Sequence, residues 1–93
     1  MIIDSSTKVR WSEDHLAANV DGDVMLMSIA HGRYVGLDTI SSDIWRRLQE
    51  PQAVGALCQS LARDYDADPK TIEREVIELL GKLHEQGLIG VEG

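Results

Sequence analysis

The dipeptide Asp21-Gly22 constrains the fold of this chain more than any other part of its sequence. It separates two runs of residues, His15–Val20 and Asp23–Ala30. Because Asp-Gly readily adopts the positive φ angles of a two-residue hairpin, the two runs are predicted to pair as antiparallel strands. The second run is apolar at almost every position, which predicts a central strand with neither face made for water.

A third strand is predicted at Arg33–Leu37, after a second tight turn at His31 and Gly32. The chain then enters a helix, so this strand is expected to pair on one side and to leave its other edge open. Natural proteins usually blunt such edges with proline, a bulge or lysines, whereas Arg33 is the one charged residue in this strand. Two alternatives follow: the third helix of the chain covers the edge, or the edge accepts an extended peptide as an added strand.

Three helices with amphipathic spacing are predicted to follow the strands. The first helix begins at a cap on Asp38 or Thr39 and ends before Pro51. The second runs from about Gln52 to Tyr65. The third begins at a cap on Asp68 and ends at Gly87. Pro69 suits the first position of the third helix, which is about 27 Å long and can lie across the whole sheet. Residues 1–14 contain one apolar island, which leaves open a short strand or a flexible arm. The predicted fold class is α+β and winged helix-turn-helix-like: a single domain over residues 1–93 with a three-stranded antiparallel sheet followed by three helices.

The third helix carries one apolar residue outside its main stripe. The stripe consists of Ile72, Val76, Leu79, Leu80 and Leu83. Ile77 lies about 110° round the helix from the centre of the stripe, beside Glu73 and His84. An apolar residue at that place suits the wall of a groove.

The charge of the chain argues against a nucleic-acid partner. Three helices with a small sheet also suggest a winged-helix DNA-binding regulator, in which the third helix would enter a groove. However, the formal net charge is −7, and the third helix is itself net acidic. Because contacts with phosphates supply most non-specific affinity for DNA, this alternative is disfavoured.

The sequence contains no motif that predicts a catalytic or metal site. Asp64–Glu75 has most of the acidic pattern of a calcium loop, but Pro69 stands where the sharp turn of such a loop needs glycine. The three histidines and the single cysteine have no metal-ligand spacing. We therefore expect neither an enzyme nor a bound cofactor.

Two further features bear on location. No apolar run approaches the roughly 18 residues that span a bilayer, and no charged-then-apolar leader precedes the polar cluster at Asp4–Thr7. Cys58 has no partner for an internal disulfide. We expect a cytoplasmic protein without a membrane partner.

Three segments in succession resemble the PqqD-like family, the RiPP recognition elements, over about residues 23 to 89. They are GRYVGLDTISSDIWRRL, VGALCQSLARDYDAD and IEREVIELLGKLHEQGLI. Each is weak alone, but their order and distances are specific. Within the family the sequence is most similar to the small stand-alone members of lasso-peptide pathways. Asp38 stands where the family often has asparagine, and both residues can cap a helix.

The resemblance implies a non-catalytic adaptor that binds the leader segment of a ribosomally made precursor peptide. The leader, typically with a Tyr-x-x-Pro segment, would pair antiparallel with the third strand and place apolar side chains against the third helix. The implied peptide-binding residues are Arg33, Tyr34, Val35, Gly36, Leu37, Glu73, Val76, Ile77, Leu80, Leu83 and His84. The implied further partners are a leader peptidase of the cysteine-protease type and a lasso cyclase. In a variant of this function, the precursor is delivered to a radical-SAM enzyme, as in pyrroloquinoline quinone biosynthesis.

Overall fold

The computed structural model describes residues 3–29 and 31–92. The strands are β1 (Lys8–Trp11), β2 (His15–Val20), β3 (Asp23–Ser28), β4 (Arg33–Gly36), β5 (Gln52–Ala53) and β6 (Ile89–Glu92). The helices are α1 (Thr39–Arg47), α2 (Val54–Tyr65) and α3 (Pro69–Glu85). The strands form two antiparallel three-stranded sheets, in the orders β2-β3-β4 and β5-β1-β6.

The first sheet confirms the predicted hairpins. Asp21 and Gly22 have φ angles of 55° and 89°, and β2 has the predicted bounds. The turn before β4 contains Gly32 at φ 62°. The strand β3 ends at Ser28, and the predicted last residue of this strand, Ala30, lies outside the described residues.

The second sheet was not predicted. The apolar island near the start of the chain is the strand β1, whose Lys8 lies opposite Ala53 of β5 and Glu92 of β6. The prediction that α2 starts at Gln52 is wrong, because Gln52 and Ala53 are extended and pair with β1, so that α2 starts at Val54. Two residues of strand are too short to show a period in the sequence.

The expectation that β3 is covered on both faces is also wrong. Val24, Leu26 and Ser28 are buried, whereas Met25 on the opposite face is 36% exposed. The strand is central, as predicted, but α-helices and the second sheet lie on one face only of this sheet. The other face, which we call the outer face, presents apolar side chains to solvent. These are Leu16, Val20, Met25, Met27 and Tyr34.

Helix caps place α1 and α3 as predicted. The Asp38 side chain accepts a hydrogen bond of 2.8 Å from the Ser41 N–H at the start of α1. This bond, with a second one from the Ser41 hydroxyl, holds the pKa of the Asp38 carboxyl below its usual 3.8. Asp68 caps α3 in the same way through the Lys70 N–H, with Pro69 at the first helical position. Gly87 follows α3 at φ 72°, as expected for a left-handed residue after a helix.

A buried serine joins α1 to the first sheet. The Ser42 hydroxyl accepts a hydrogen bond of 2.8 Å from the Val24 N–H and donates one of 3.3 Å to the Leu37 carbonyl. It thus takes the place of one direct bond between β3 and the residue that follows β4. The Ser42 side chain is fully buried, so these backbone groups have no access to water as a substitute.

Ser42→Ala should destabilise the protein by about 1–3 kcal/mol, because it leaves a buried N–H and a buried carbonyl without a partner. Chemical denaturation followed by far-UV circular dichroism measures the change. Ser41→Ala is the matched control, since its hydroxyl bonds the exposed Asp38 carboxylate, and it should cost less than the Ser42 variant. Equal losses in the two variants would contradict the role given to Ser42.

Candidate functional site

The strand β4 has an open edge, and the register shows which of its backbone groups lie there. Leu37 N–H donates to the Val24 carbonyl at 2.9 Å, and Val35 lies opposite Leu26. Because bonded positions alternate along an antiparallel pair, Val35 and Arg33 also direct their backbone groups toward β3. Tyr34 and Gly36 therefore direct their N–H and carbonyl groups away from β3. Within the described part of the chain, no strand pairs with them on that side.

A groove with a volume of about 440 Å³ lies where the chain leaves this edge. It begins at Asp38 and runs between the first turns of α1 and one flank of α3. Its apolar wall consists of Ile40, Ile44, Leu61, Ile72, Val76 and Leu79. Ile40 is 46% exposed, which is a large exposed fraction for an isoleucine in the first turn of a helix. Three charged side chains complete the rim of the groove: Glu75, Glu78 and Lys82.

The helix α3 runs beside β4 in the opposite direction. Asp38, just after β4, shares the groove with Glu75 and Leu79 in the middle of α3. At the other end, a Cβ on Gly87 would lie 3.5 Å from the ring of His31, which precedes β4. The start of β4 is therefore close to the end of α3. The open edge and the groove meet at Asp38.

The structure distributes the sequence-predicted binding residues over three places. Tyr34 and Gly36 lie on the open edge, whereas Val76 is buried at the bottom of the groove. Leu80 and Leu83 are fully buried in the core and line no surface. The register thus narrows the predicted backbone pairing from the whole of Arg33–Leu37 to two residues.

Ile77 does not lie in the groove beside β4. It lies on the other flank of α3, with Lys70, Glu73 and Arg74. His84 falls on that flank too, because it follows Ile77 by seven residues. Ile77 therefore does not line the groove that begins at Asp38, and its contact with a leader peptide stays a prediction.

Sequence reasoning missed the flank of α3 that lines the groove beginning at Asp38. Leu79 was assigned to the core stripe, but it is half-buried at the margin of that stripe and its side chain reaches the groove. A signal was present in Ile40, an apolar residue directly after the cap of α1. Such a residue needs a neighbour, and Leu79 shares its groove.

Two side chains that could act as a nucleophile or a general base, Cys58 and His15, are buried or packed against neighbouring residues. Burial raises the pKa of the Cys58 thiol, which makes it a weaker nucleophile at neutral pH. The ring of His15 packs edge-on against Trp11 and Trp45, and its Nδ1 lies 2.6 Å from the Ser12 carbonyl oxygen. In residues 3–29 and 31–92, no three His, Cys, Asp or Glu side chains are placed to hold a metal ion. In the same ranges, no helix combines the length and the apolar character needed to cross a membrane.

The candidate site consists of the open edge of β4 and a helix-lined groove that begins at Asp38, an arrangement that can accept an extended peptide. The family described as Coenzyme PQQ synthesis protein D (PqqD) matches residues 23–89. The chain belongs to this family, and the resemblance to the PqqD-like RiPP recognition elements is confirmed.

Curated relatives support the same assignment. A PqqA binding protein of Xanthomonas campestris pv. campestris (strain B100) is 38% identical over 61 residues. Another, from Xanthomonas euvesicatoria pv. vesicatoria (strain 85-10), is 36% identical over 61 residues. In each case the match spans 66% of this chain and 66% of the length of the relative.

Solved structures with the same fold include proteins bound to peptides. TbiB1 in complex with the TbiA(beta) leader peptide is 30% identical, with a TM-score of 0.78 over 90% of this chain and 95% of that one. Lasso peptide synthetase B1 complexed with its leader peptide is 23% identical, with a TM-score of 0.77 over 88% and 96%. The PqqD truncation of Methylobacterium extorquens PqqCD, a RiPP recognition element, is 20% identical, with a TM-score of 0.79 over 95% and 94%. The last two structures, at 23% and 20% identity, show that the fold is shared.

Proline substitutions should distinguish the two sides of β4. Val35→Pro removes an N–H that faces β3 and leaves the Leu26 carbonyl without its donor, whereas Tyr34→Pro removes an N–H on the open edge. Val35→Pro should therefore lower the free energy of unfolding by about 1–3 kcal/mol more than Tyr34→Pro. Urea denaturation of both variants measures this difference. A larger loss for Tyr34→Pro would show that the register is shifted by one residue.

Proposed function

We propose that this protein is a non-catalytic adaptor that binds the leader segment of a ribosomally made precursor peptide. The observation that carries the proposal is the open edge of β4 continuing into the groove against α3. An extended peptide can add to such an edge as a further strand, since main-chain hydrogen bonds supply affinity and a neighbouring pocket supplies specificity. The names of the relatives and of the TbiB1 complex, which refer to PqqA and to a leader peptide, support the same function.

The geometry of the edge determines which backbone groups and side chains of such a peptide would contact the protein. Peptide residues opposite Tyr34 and Gly36 exchange backbone hydrogen bonds with them, and their side chains lie on the outer face. Peptide residues opposite Val35 and Leu37 point to the inner face, where the groove lies. Alternate side chains of the leader therefore enter the groove, and the intervening side chains extend the outer face beyond Tyr34.

The adaptor would act by raising the local concentration of the precursor at other proteins. In the lasso-peptide form of the proposal, it delivers the precursor to a leader peptidase of the cysteine-protease type and to the cyclase that closes the lasso. The resemblance of the sequence to the small stand-alone members of lasso-peptide pathways favours this form. The alternative is delivery to a radical-SAM enzyme, and the similarity to PqqA binding proteins supports it.

Fluorescence anisotropy with a labelled Tyr-x-x-Pro peptide tests the proposal. We expect saturable binding with Kd in the micromolar range or tighter, changing no more than a few-fold between low and high salt. A labelled DNA duplex serves as the second ligand. Binding to DNA that falls steeply with salt, together with no binding of the peptide, would overturn the proposal in favour of a winged-helix regulator.

A pair of substitutions tests which flank of α3 contacts the peptide. Leu79→Asp places a charge in the apolar wall of the groove and should raise Kd by about ten-fold or more, since even the lower end of about 1.5 kcal/mol for one buried apolar side chain corresponds to that factor. Ile77→Asp places the same charge on a half-buried residue of the other flank and should change Kd less than two-fold.

Thermal melting of both variants controls for unfolding, because Leu79 and Ile77 are buried to a similar degree. A loss of binding in Ile77→Asp with normal binding in Leu79→Asp would assign the peptide to the flank that carries Glu73 and His84.

A further inference from the structure

Charges of opposite sign lie at the two ends of the surface formed by β4 and α3. At the end where the chain leaves β4, Asp38 lies together with Glu75 and Glu78 on the rim of the groove. Toward the other end, β4 begins with Arg33, and Lys82 is one to two helical turns closer than Glu75 to the end of α3. The strand and the groove side of α3 are therefore acidic at the Asp38 end of this surface and basic at the Arg33 end.

These charged side chains are available to a ligand. All of them are exposed, including Arg33, whose side chain belongs to the inner face because it lies opposite Ser28. In residues 3–29 and 31–92, the four ion pairs join other residues, such as Arg10 with Glu92 and Arg47 with Asp43. The Asp38 carboxylate caps α1 but keeps its negative charge, since its pKa is lowered by that contact.

Glu85 does not cancel this polarity at the basic end. It is not among the residues that line the groove, whereas Lys82 is. Gln86, which is closer in angle to the groove side, carries no charge.

The direction of an added strand converts this polarity into a preference for peptide sequence. A peptide antiparallel to β4 has its N-terminal part beside Leu37 and Asp38 and its C-terminal part beside Arg33. Its inward side chains lie opposite Leu37, Val35 and Arg33, so they are two residues apart. The first of them reaches the acidic end, the second reaches the apolar wall at Leu79, and the third reaches the basic end.

We infer that this protein selects leader segments of the pattern basic-x-apolar-x-acidic, read from N- to C-terminus. The inference rests on the proposed function and specifies the chemistry of the ligand for the same site. Arg33, Glu75, Glu78 and Lys82 act as specificity-determining residues for a peptide that is antiparallel to β4. The net charge of −7 favours capture of the basic end first, since the field of the protein attracts it from a distance.

Three labelled peptides of equal length test the inference by fluorescence anisotropy. They contain Lys-Thr-Tyr-Thr-Glu-Pro, Glu-Thr-Tyr-Thr-Lys-Pro or Gln-Thr-Tyr-Thr-Gln-Pro between identical Ser-Gly flanks. The first two have the same composition and net charge and differ only in polarity. At low salt, we expect the first to bind about five-fold or more tighter than the second, with the neutral peptide between them, and we expect the difference to shrink at high salt.

Protein variants assign the effect to the groove. Glu75→Gln together with Glu78→Gln should reduce the preference between the two charged peptides to less than about two-fold. Both carboxylates are removed together, because single exposed ion pairs contribute little individually. Glu50→Gln removes one exposed carboxylate outside the groove and should leave the preference unchanged.

The outcomes separate this inference from the proposed function. Equal binding of all three peptides, or tighter binding of the Glu-first peptide, would overturn the charge preference and leave leader binding in place. The charge preference would also be overturned if none of the three peptides bound at protein concentrations that saturate the labelled Tyr-x-x-Pro peptide used to test the proposed function. If neither these nor the parent peptide binds, the proposed function fails and the inference fails with it.

Discussion

The hydrogen bonds of the buried Ser42 hydroxyl link α1, β3 and the end of β4, the elements that form the candidate site. Ser42 lies in α1, the N–H that it receives belongs to β3, and the carbonyl that it reaches belongs to Leu37, just after β4. One side chain thus fixes the end of the open strand against the first turn of α1. Asp38, which follows Leu37, can then cap α1 and begin the groove.

The remaining framework keeps the helices in register with that junction. Arg47 of α1 bonds both carboxylate oxygens of Asp43 and also reaches Ser60 and Asp64 on α2. The helix α3 packs on α2 and on β6, with Leu80 and Leu83 fully buried. A core of mainly aliphatic side chains therefore supports the first sheet, in which β4 pairs with β3 along one edge only. Such a division suits the proposed function, in which an extended peptide is held and not changed chemically.

The sequence predicted the first sheet and all three helices because their signals are local. Asp21-Gly22 determines a hairpin by itself, and Asp68-Pro69 determines the start of a helix by itself. The second sheet depends on pairing between residues more than forty positions apart, such as Lys8 with Ala53, and two-residue strands have no period. The flank of α3 could not be predicted for a related reason. Ile77 and Leu79 are both apolar and half-buried, and the angle between helix and strand decides which of them faces β4.

The two tryptophans of this sequence meet in one place, and this gives the protein a built-in optical reporter. Trp11 of β1 stacks on Trp45 of α1 with ring centroids 5.0 Å apart, and its indole N–H donates to the Trp45 carbonyl at 2.8 Å. All indole absorbance and emission of the chain therefore arises where the second sheet contacts α1, away from the groove. Excitonic coupling between the stacked rings makes the near-ultraviolet spectrum a signature of that contact. Loss of the signature reports that β1 has separated from α1, even under conditions in which the far-ultraviolet signal of the helices persists.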